Sequence, residues 1–189
     1  MTKKILCLLL CCLAALSLVA CGRGTEDDSQ DLTATFQALT AEGEKVFWWY
    51  HDPANEDLEV DITAAPIARS FYPVGRFVSI EEMKQASEQV FSRRFCEEVL
   101  YPIGFDETTF GTVHFADIDG MLCCNPDVGG MGWDYRMTEE ISWVSQDEVQ
   151  AVFSVMVEDV LQGETVPMEF RLIWEDGHWK LDTWFTYGQ

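Results

Sequence analysis

Residues 166–185 read VPMEFRLIWEDGHWKLDTWF. Two apolar-rich halves flank Asp176-Gly177, and such a dipeptide is the strongest short-range signal for a hairpin, because its residues tolerate the positive φ of a tight turn. The stretch predicts two antiparallel strands. Working back, HFADIDGMLCC at 114–124 has the same form, with Asp119-Gly120 at its turn. Between the hairpins, Thr138–Ser145 reads as a strand. In EVQAVFSVMVED, residues 148–159, the side chains Val149, Ala151, Phe153, Val155 and Val157 fall at every second position. That period of two places them on one face of a strand. LQGET then turns the chain at 161–165.

Upstream the period changes. Leu32, Phe36, Leu39, Val46, Phe47, Trp49 and Tyr50 recur near the helical repeat and predict a helix over 32–51. Gly43 weakens that helix by about 1 kcal/mol relative to alanine, and Pro53 stops it. An acidic loop follows to Asp61. FYPVGRFV at 71–78 reads as extended but short or irregular, because Pro73 and Gly75 disfavour a regular strand. Ser79-Ile80-Glu81-Glu82 is a capping box, opening a helix expected to run to Phe91. Ser92 starts a second short helix, which Pro102 is expected to close. Helices first and strands after make an α+β fold, with N-terminal helices on a curved antiparallel sheet of about five to six strands.

The N-terminus has its own logic. After MTKK comes an apolar run, Ile5–Ala20, shorter than the about 20 residues a membrane-spanning helix needs. A basic start, a short apolar middle and a small-residue end describe a secretory signal peptide. Leu18-Val19-Ala20-Cys21 resembles a bacterial lipobox, in which the cysteine sulfur is lipidated and cleavage leaves that cysteine first. The organisation expected is a lipoprotein signal peptide at 1–20, lipidation (diacylglyceryl, palmitate) of Cys21, a flexible acidic tether at 21–31 and a single domain at 32–189. The protein would sit on the outer face of the cytoplasmic membrane. Each buried acyl methylene contributes about 0.8 kcal/mol, so two or three chains hold firmly where one holds marginally.

Composition narrows the partners. The chain has 33 acidic and 12 basic residues and a net charge of −21, so nucleic acid and anionic lipid headgroups are repelled. The charge favours cationic partners, a basic protein face or metal ions. Beyond Cys21 and the signal peptide, the thiols are Cys96, Cys123 and Cys124. Two readings stay open: a bridge from Cys96 to one of the adjacent pair, or three free thiols. Neither Cys-x-x-Cys nor paired histidine occurs, and Asp117-Ile118-Asp119-Gly120 is too short for a calcium loop. No metal or cofactor is expected. No nucleophile elbow or phosphate loop is present, and no enzyme activity is expected.

Two sets of residues remain as candidate binding sites. Asp127, Gly129, Gly130, Met131, Trp133 and Asp134 lie in a glycine-rich loop with an exposed aromatic, a pattern suited to contact with a partner. Trp49, His51 and Trp184 are candidate lining for an aromatic pocket, and His51 is the best candidate base in it.

The segments FWWYHD, FYPVGRFVSIEEMKQASEQVFS, ADIDGMLCC, GGMGWDY and EFRLIWEDGHWKLDTW, in that order, resemble the DL-endopeptidase inhibitor (IseA-like) family of secreted and lipid-anchored proteins of Gram-positive bacteria. The likeness covers residues 32–187. It implies an inhibitor seated on cell-wall cysteine peptidases, restraining autolysis. The lipid anchor, the acidic loop at 52–61 and the Cys123-Cys124 pair depart from the family pattern. The order of elements also resembles the nuclear-transport-factor-like cone fold, which hosts binders and enzymes alike and implies the alternative: a small-molecule or peptide binder without inhibitory activity.

Overall fold

A computed structural model describes residues 26–107, 112–128 and 135–185. The chain divides into two compact units, Met1–Thr33 and Ala34–Gln189. Cys21 and the stretch read as a signal peptide lie outside the described residues. The fold is α+β, as the sequence predicts, with helices preceding the long strands.

Helix α1 spans Glu26–His51. It begins inside the stretch read as a tether, six residues ahead of the expected Leu32. One stripe of α1 is buried: Phe36, Val46 and Tyr50. Phe36 stacks on Phe153 of the sheet with ring centroids 4.4 Å apart. Gly43 sits on the same stripe for a reason the sequence does not show. A Cβ there would come within 2.7 Å of Leu181 Cδ1 and 3.1 Å of Trp184, so the glycine sets how closely α1 approaches the sheet.

After α1 comes a 3-10 turn, Glu56–Leu58, capped by the Asn55 side chain, which accepts from the Asp57 amide. Strand β1 is only Tyr72–Pro73. Helix α2, Ile80–Glu88, opens with the expected cap: Ser79 Oγ accepts from the Glu82 amide, and Glu82 Oε2 accepts from the Val78 amide at 2.7 Å. It ends three residues before the expected Phe91, because the next residues serve the sheet. The Ser92 amide donates to the Leu181 carbonyl and the Leu181 amide to the Val90 carbonyl.

The following helix is not closed by Pro102, contrary to expectation. Helix α3, Arg93–Phe95, passes through a π segment, Cys96–Leu100, into α4, Tyr101–Phe105. The Tyr101 amide donates to the Cys96 carbonyl, five residues back. This wider turn shifts the hydrogen-bond register just ahead of Pro102, whose ring nitrogen has no hydrogen to donate.

The strands divide into two antiparallel sheets, so the larger one is narrower than the five to six strands expected. The smaller has order β1-β3-β2, with β2 at Phe115–Ile118 and β3 at Met121–Cys124. The larger has order β4-β5-β6-β7. Its strands are β4 Tyr135–Gln146, β5 Gln150–Asp159, β6 Glu164–Glu175 and β7 His178–Leu181. Both predicted hairpin turns form, with positive φ at Asp119, Gly120, Asp176 and Gly177. On β5 the alternating set Ala151, Phe153, Val155 and Val157 is buried, whereas Val149, at the strand's mouth, is 58% exposed. Each fully buried large apolar side chain contributes about 1.5–3 kcal/mol, so this stripe and its β6 neighbours Phe170 and Leu172 anchor the domain.

Candidate functional site: a groove between α1 and β4

Two faces of α1 do different work. The buried stripe holds the helix to the sheet. Gln37, Thr40, Ala41, Glu44, Phe47 and Trp48, at spacings of three and four, form a second stripe. That stripe is one wall of a groove of about 600 Å³ whose other wall is the first half of β4: Tyr135, Arg136, Met137, Thr138, Glu139 and Ile141. Trp184 and Phe185, just after β7, and Val160 complete the lining. The volume lies within the range of natural small-ligand sites, roughly 300–1,000 Å³.

Local irregularity shapes the β4 wall. Met137 pairs with Val157 and Ile141 with Val155, so three residues of β4 stand against one of β5. Such a bulge re-aims side chains, and here it brings both Thr138 and Glu139 to the groove. The Thr138 hydroxyl accepts from the Glu140 amide within the bulge.

The aromatic surface is continuous. Tyr135 stacks nearly parallel on Phe185 at 5.8 Å. Phe185 meets Trp184 edge-on at 5.4 Å, and Trp184 reaches Phe47 at 6.2 Å. Trp184 also packs edge-on against Phe91 and Phe170, so the groove and the core share this ring. The charges are few. Arg136 pairs with Glu158 at 3.7 Å, with both side chains exposed. Glu44 and Glu139, one on each wall, have no ion-pair partner among the described residues.

Of the three residues proposed for a pocket, Trp184 lines the groove and the other two do not. A helix advances about 100° per residue, which carries Trp49 off the groove stripe. It is buried under Arg76, whose guanidinium lies 4.8 Å from its ring, and against Phe77 at 5.1 Å. Its Nε1 is buried with no hydrogen-bond partner among the described residues. His51 lies one turn beyond Phe47 and packs on it with the rings tilted by 32° and centroids 4.1 Å apart. Burial, and then the neighbouring His114, lower its pKa from 6.5 to about 4. Near neutral pH it is an uncharged packing group, too weak a base for efficient proton abstraction. His114 is structural too. It is buried, and its Nδ1 hydrogen bonds the Tyr50 carbonyl oxygen at 2.8 Å.

In the other candidate set, Asp127 is exposed in a turn held by Asn125, whose side-chain oxygen accepts from the Asp127 amide. Gly129, Gly130, Met131, Trp133 and Asp134 lie outside the described residues. The thiols Cys96, Cys123 and Cys124 are free and buried, which settles the two readings in favour of no bridge. Burial pushes the Cys96 and Cys124 thiols up to about 12, leaving them protonated and unreactive. Among the described residues no group of three or more His, Cys, Asp or Glu side chains could hold a metal ion, and no helix is long and apolar enough to cross a membrane.

Sequence reasoning found Trp184 but missed the helical wall. The visible signal was the run Thr40, Ala41, Glu44 and Trp48, a second face whose small side chains leave room beside a tryptophan. No protein-family model matches the chain, and no curated protein matches it.

Proposed function

We propose that the protein is a non-catalytic binding protein, held by a lipid on Cys21 at the outer face of the cytoplasmic membrane, that captures its ligand in the groove between α1 and β4. The observation that carries this reading is the groove itself: one open cavity with a continuous aromatic lining and a few polar groups at its rim. Such a lining suits retention without turnover, because aromatic rings supply contact area and orientation and no activated nucleophile among the described residues faces them. Titration with the neutral apolar fluorophore N-phenyl-1-naphthylamine tests it. Saturable enhancement is expected, abolished by Ala41→Trp, which fills the groove from an exposed helical position. Enhancement unchanged in that variant would sink the reading.

The partner proposed within this role is a cell-wall DL-endopeptidase, so that binding restrains autolysis. The net charge of −21 supports it, because an acidic surface speeds and selects association with a basic cleft rim. Pull-down with cell-wall hydrolases, with lysis rates measured after gene deletion, tests it. Capture of no hydrolase together with unchanged lysis would remove this partner while leaving the groove reading in place.

A further inference from the structure

We infer that the groove accepts an extended peptide segment of a partner protein, laid along the outer edge of β4 with a lysine or arginine side chain held over the aromatic floor by Glu44 and Glu139. The inference rests on the groove being the binding site and names what enters it. Three observations converge. First, β4 is twelve residues long and an edge strand, hydrogen-bonded to β5 alone among the described strands. Its outer edge offers backbone donors and acceptors that an added strand satisfies. The same strand is one wall of the groove, so a backbone lying along it can send its side chains inward.

Second, the groove is electrostatically one-sided. Glu44 on α1 and Glu139 on β4 line it from opposite walls, and neither is neutralised by a described residue. Arg136, the one cation among the described lining residues, is engaged by Glu158 on the neighbouring strand. Third, the lining that holds the two carboxylates is also rich in aromatic rings, with Phe47, Trp48, Tyr135 and Trp184 all in it. Aromatic faces attract cations by their quadrupoles, most strongly where water is excluded, and they cover the apolar stem of a long basic side chain. A second copy of this chain is disfavoured as the occupant, because each copy has a net charge of −21. An acidic segment would meet both carboxylates.

The test uses the folded chain and three blocked hexapeptides, TKVKFT, TQVQFT and TEVEFT, with calorimetry and tryptophan fluorescence as readouts. TKVKFT is expected to bind about tenfold or more tighter than TQVQFT, and TEVEFT least. Replacing both carboxylates, as Glu44→Gln with Glu139→Gln, removes that preference, as does about 0.5 M salt. Both positions are exposed, so the variant folds normally. Equal binding of TKVKFT and TQVQFT would overturn the cation requirement while the groove reading stands on its fluorophore titration. Binding of benzyltrimethylammonium as tight as that of TKVKFT would overturn the extended peptide. Binding of none of these probes overturns the inference, and the fluorophore result then decides separately whether the groove binds anything.

Discussion

The two edges of the four-stranded sheet are built in opposite ways. Strand β7 has four residues and is sealed. Residues 90–92 lie against it, with the Ser92 amide on the Leu181 carbonyl at 2.7 Å and the Leu181 amide on the Val90 carbonyl at 2.8 Å. Just past it, the buried Asp182 accepts from Ser92 Oγ at 2.6 Å and from Arg94 Nη2 at 2.8 Å, with Arg171 at 3.5 Å. Lys180, only 1% exposed, reaches Asp176 at 2.7 Å. Strand β4 has twelve residues, register shifts and no neighbour on its outer side among the described strands. Trp143, Val144 and Tyr135 are about half exposed along it. One edge is closed by the chain itself; the other has no strand beside it among the described residues. Asp182, Ser92 and Lys180 are paired internally where the chain closes on itself, and Glu44 and Glu139 have no ion-pair partner among the described residues beside the open edge.

Substitutions on the sealed side should therefore cost stability, and those on the open side should cost binding. The largest effect is expected at Asp182. Asp182→Ala removes the acceptor of Ser92 and Arg94 and the ion-pair partner of Arg171. Breaking a buried pair in this way costs about 3–5 kcal/mol, and the value expected is at the lower end because Arg94 and Arg171 are about half exposed. Denaturant unfolding measures it; a loss below about 1 kcal/mol would show that the network does not secure the edge. Next comes Gly43→Ala. Alanine is the better helix former by about 1 kcal/mol, yet its Cβ would press on Leu181 and Trp184. Overpacking of this kind costs about 1–3 kcal/mol, so net destabilisation is expected, and a stabilised variant would disprove the close approach.

A further effect is tied to pH. The folded state holds His51 near 4 against an ordinary 6.5, so folding favours its neutral form. The stability this contributes is complete above the unfolded value and is lost as the pH falls from 6.5 towards about 4. In His51→Gln the unfolding midpoint should fall less steeply between those limits than in the parent; parallel curves would contradict the burial. The smallest effect is expected on the open edge. Trp143→Thr should change stability by no more than about 0.5 kcal/mol, and a large loss there would mean that β4 is part of the sealed core.

What the sequence made legible follows the same division. The hairpins were readable because Asp119-Gly120 and Asp176-Gly177 encode their turns locally, and the β5 stripe because its alternation is strict. The α2 cap was readable for the same reason, since its donors and acceptors lie within four residues of one another. The π segment was not, because it depends on how Pro102 is accommodated within a continuing helix. The end of α2 at Glu88 was not, because pairing with β7 overrides the local periodicity. The groove was half legible. Trp184 stood out as a late tryptophan, but its other wall is the polar face of α1, and a polar face reads as plain solvent exposure until a strand is placed opposite it. Trp49 misled for the converse reason: its neighbour Trp48 faces the groove, and one residue along a helix is enough to turn a side chain into the core.

Backbone and indole amide shifts measured by NMR while TKVKFT is added test the central claim most directly. The account predicts changes confined to α1 from Gln37 to Trp48, to β4 from Tyr135 to Ile141 and to the indole of Trp184, with β7 and residues 90–92 silent. Changes centred instead on Asn125–Val128, or on the sealed edge, would contradict it.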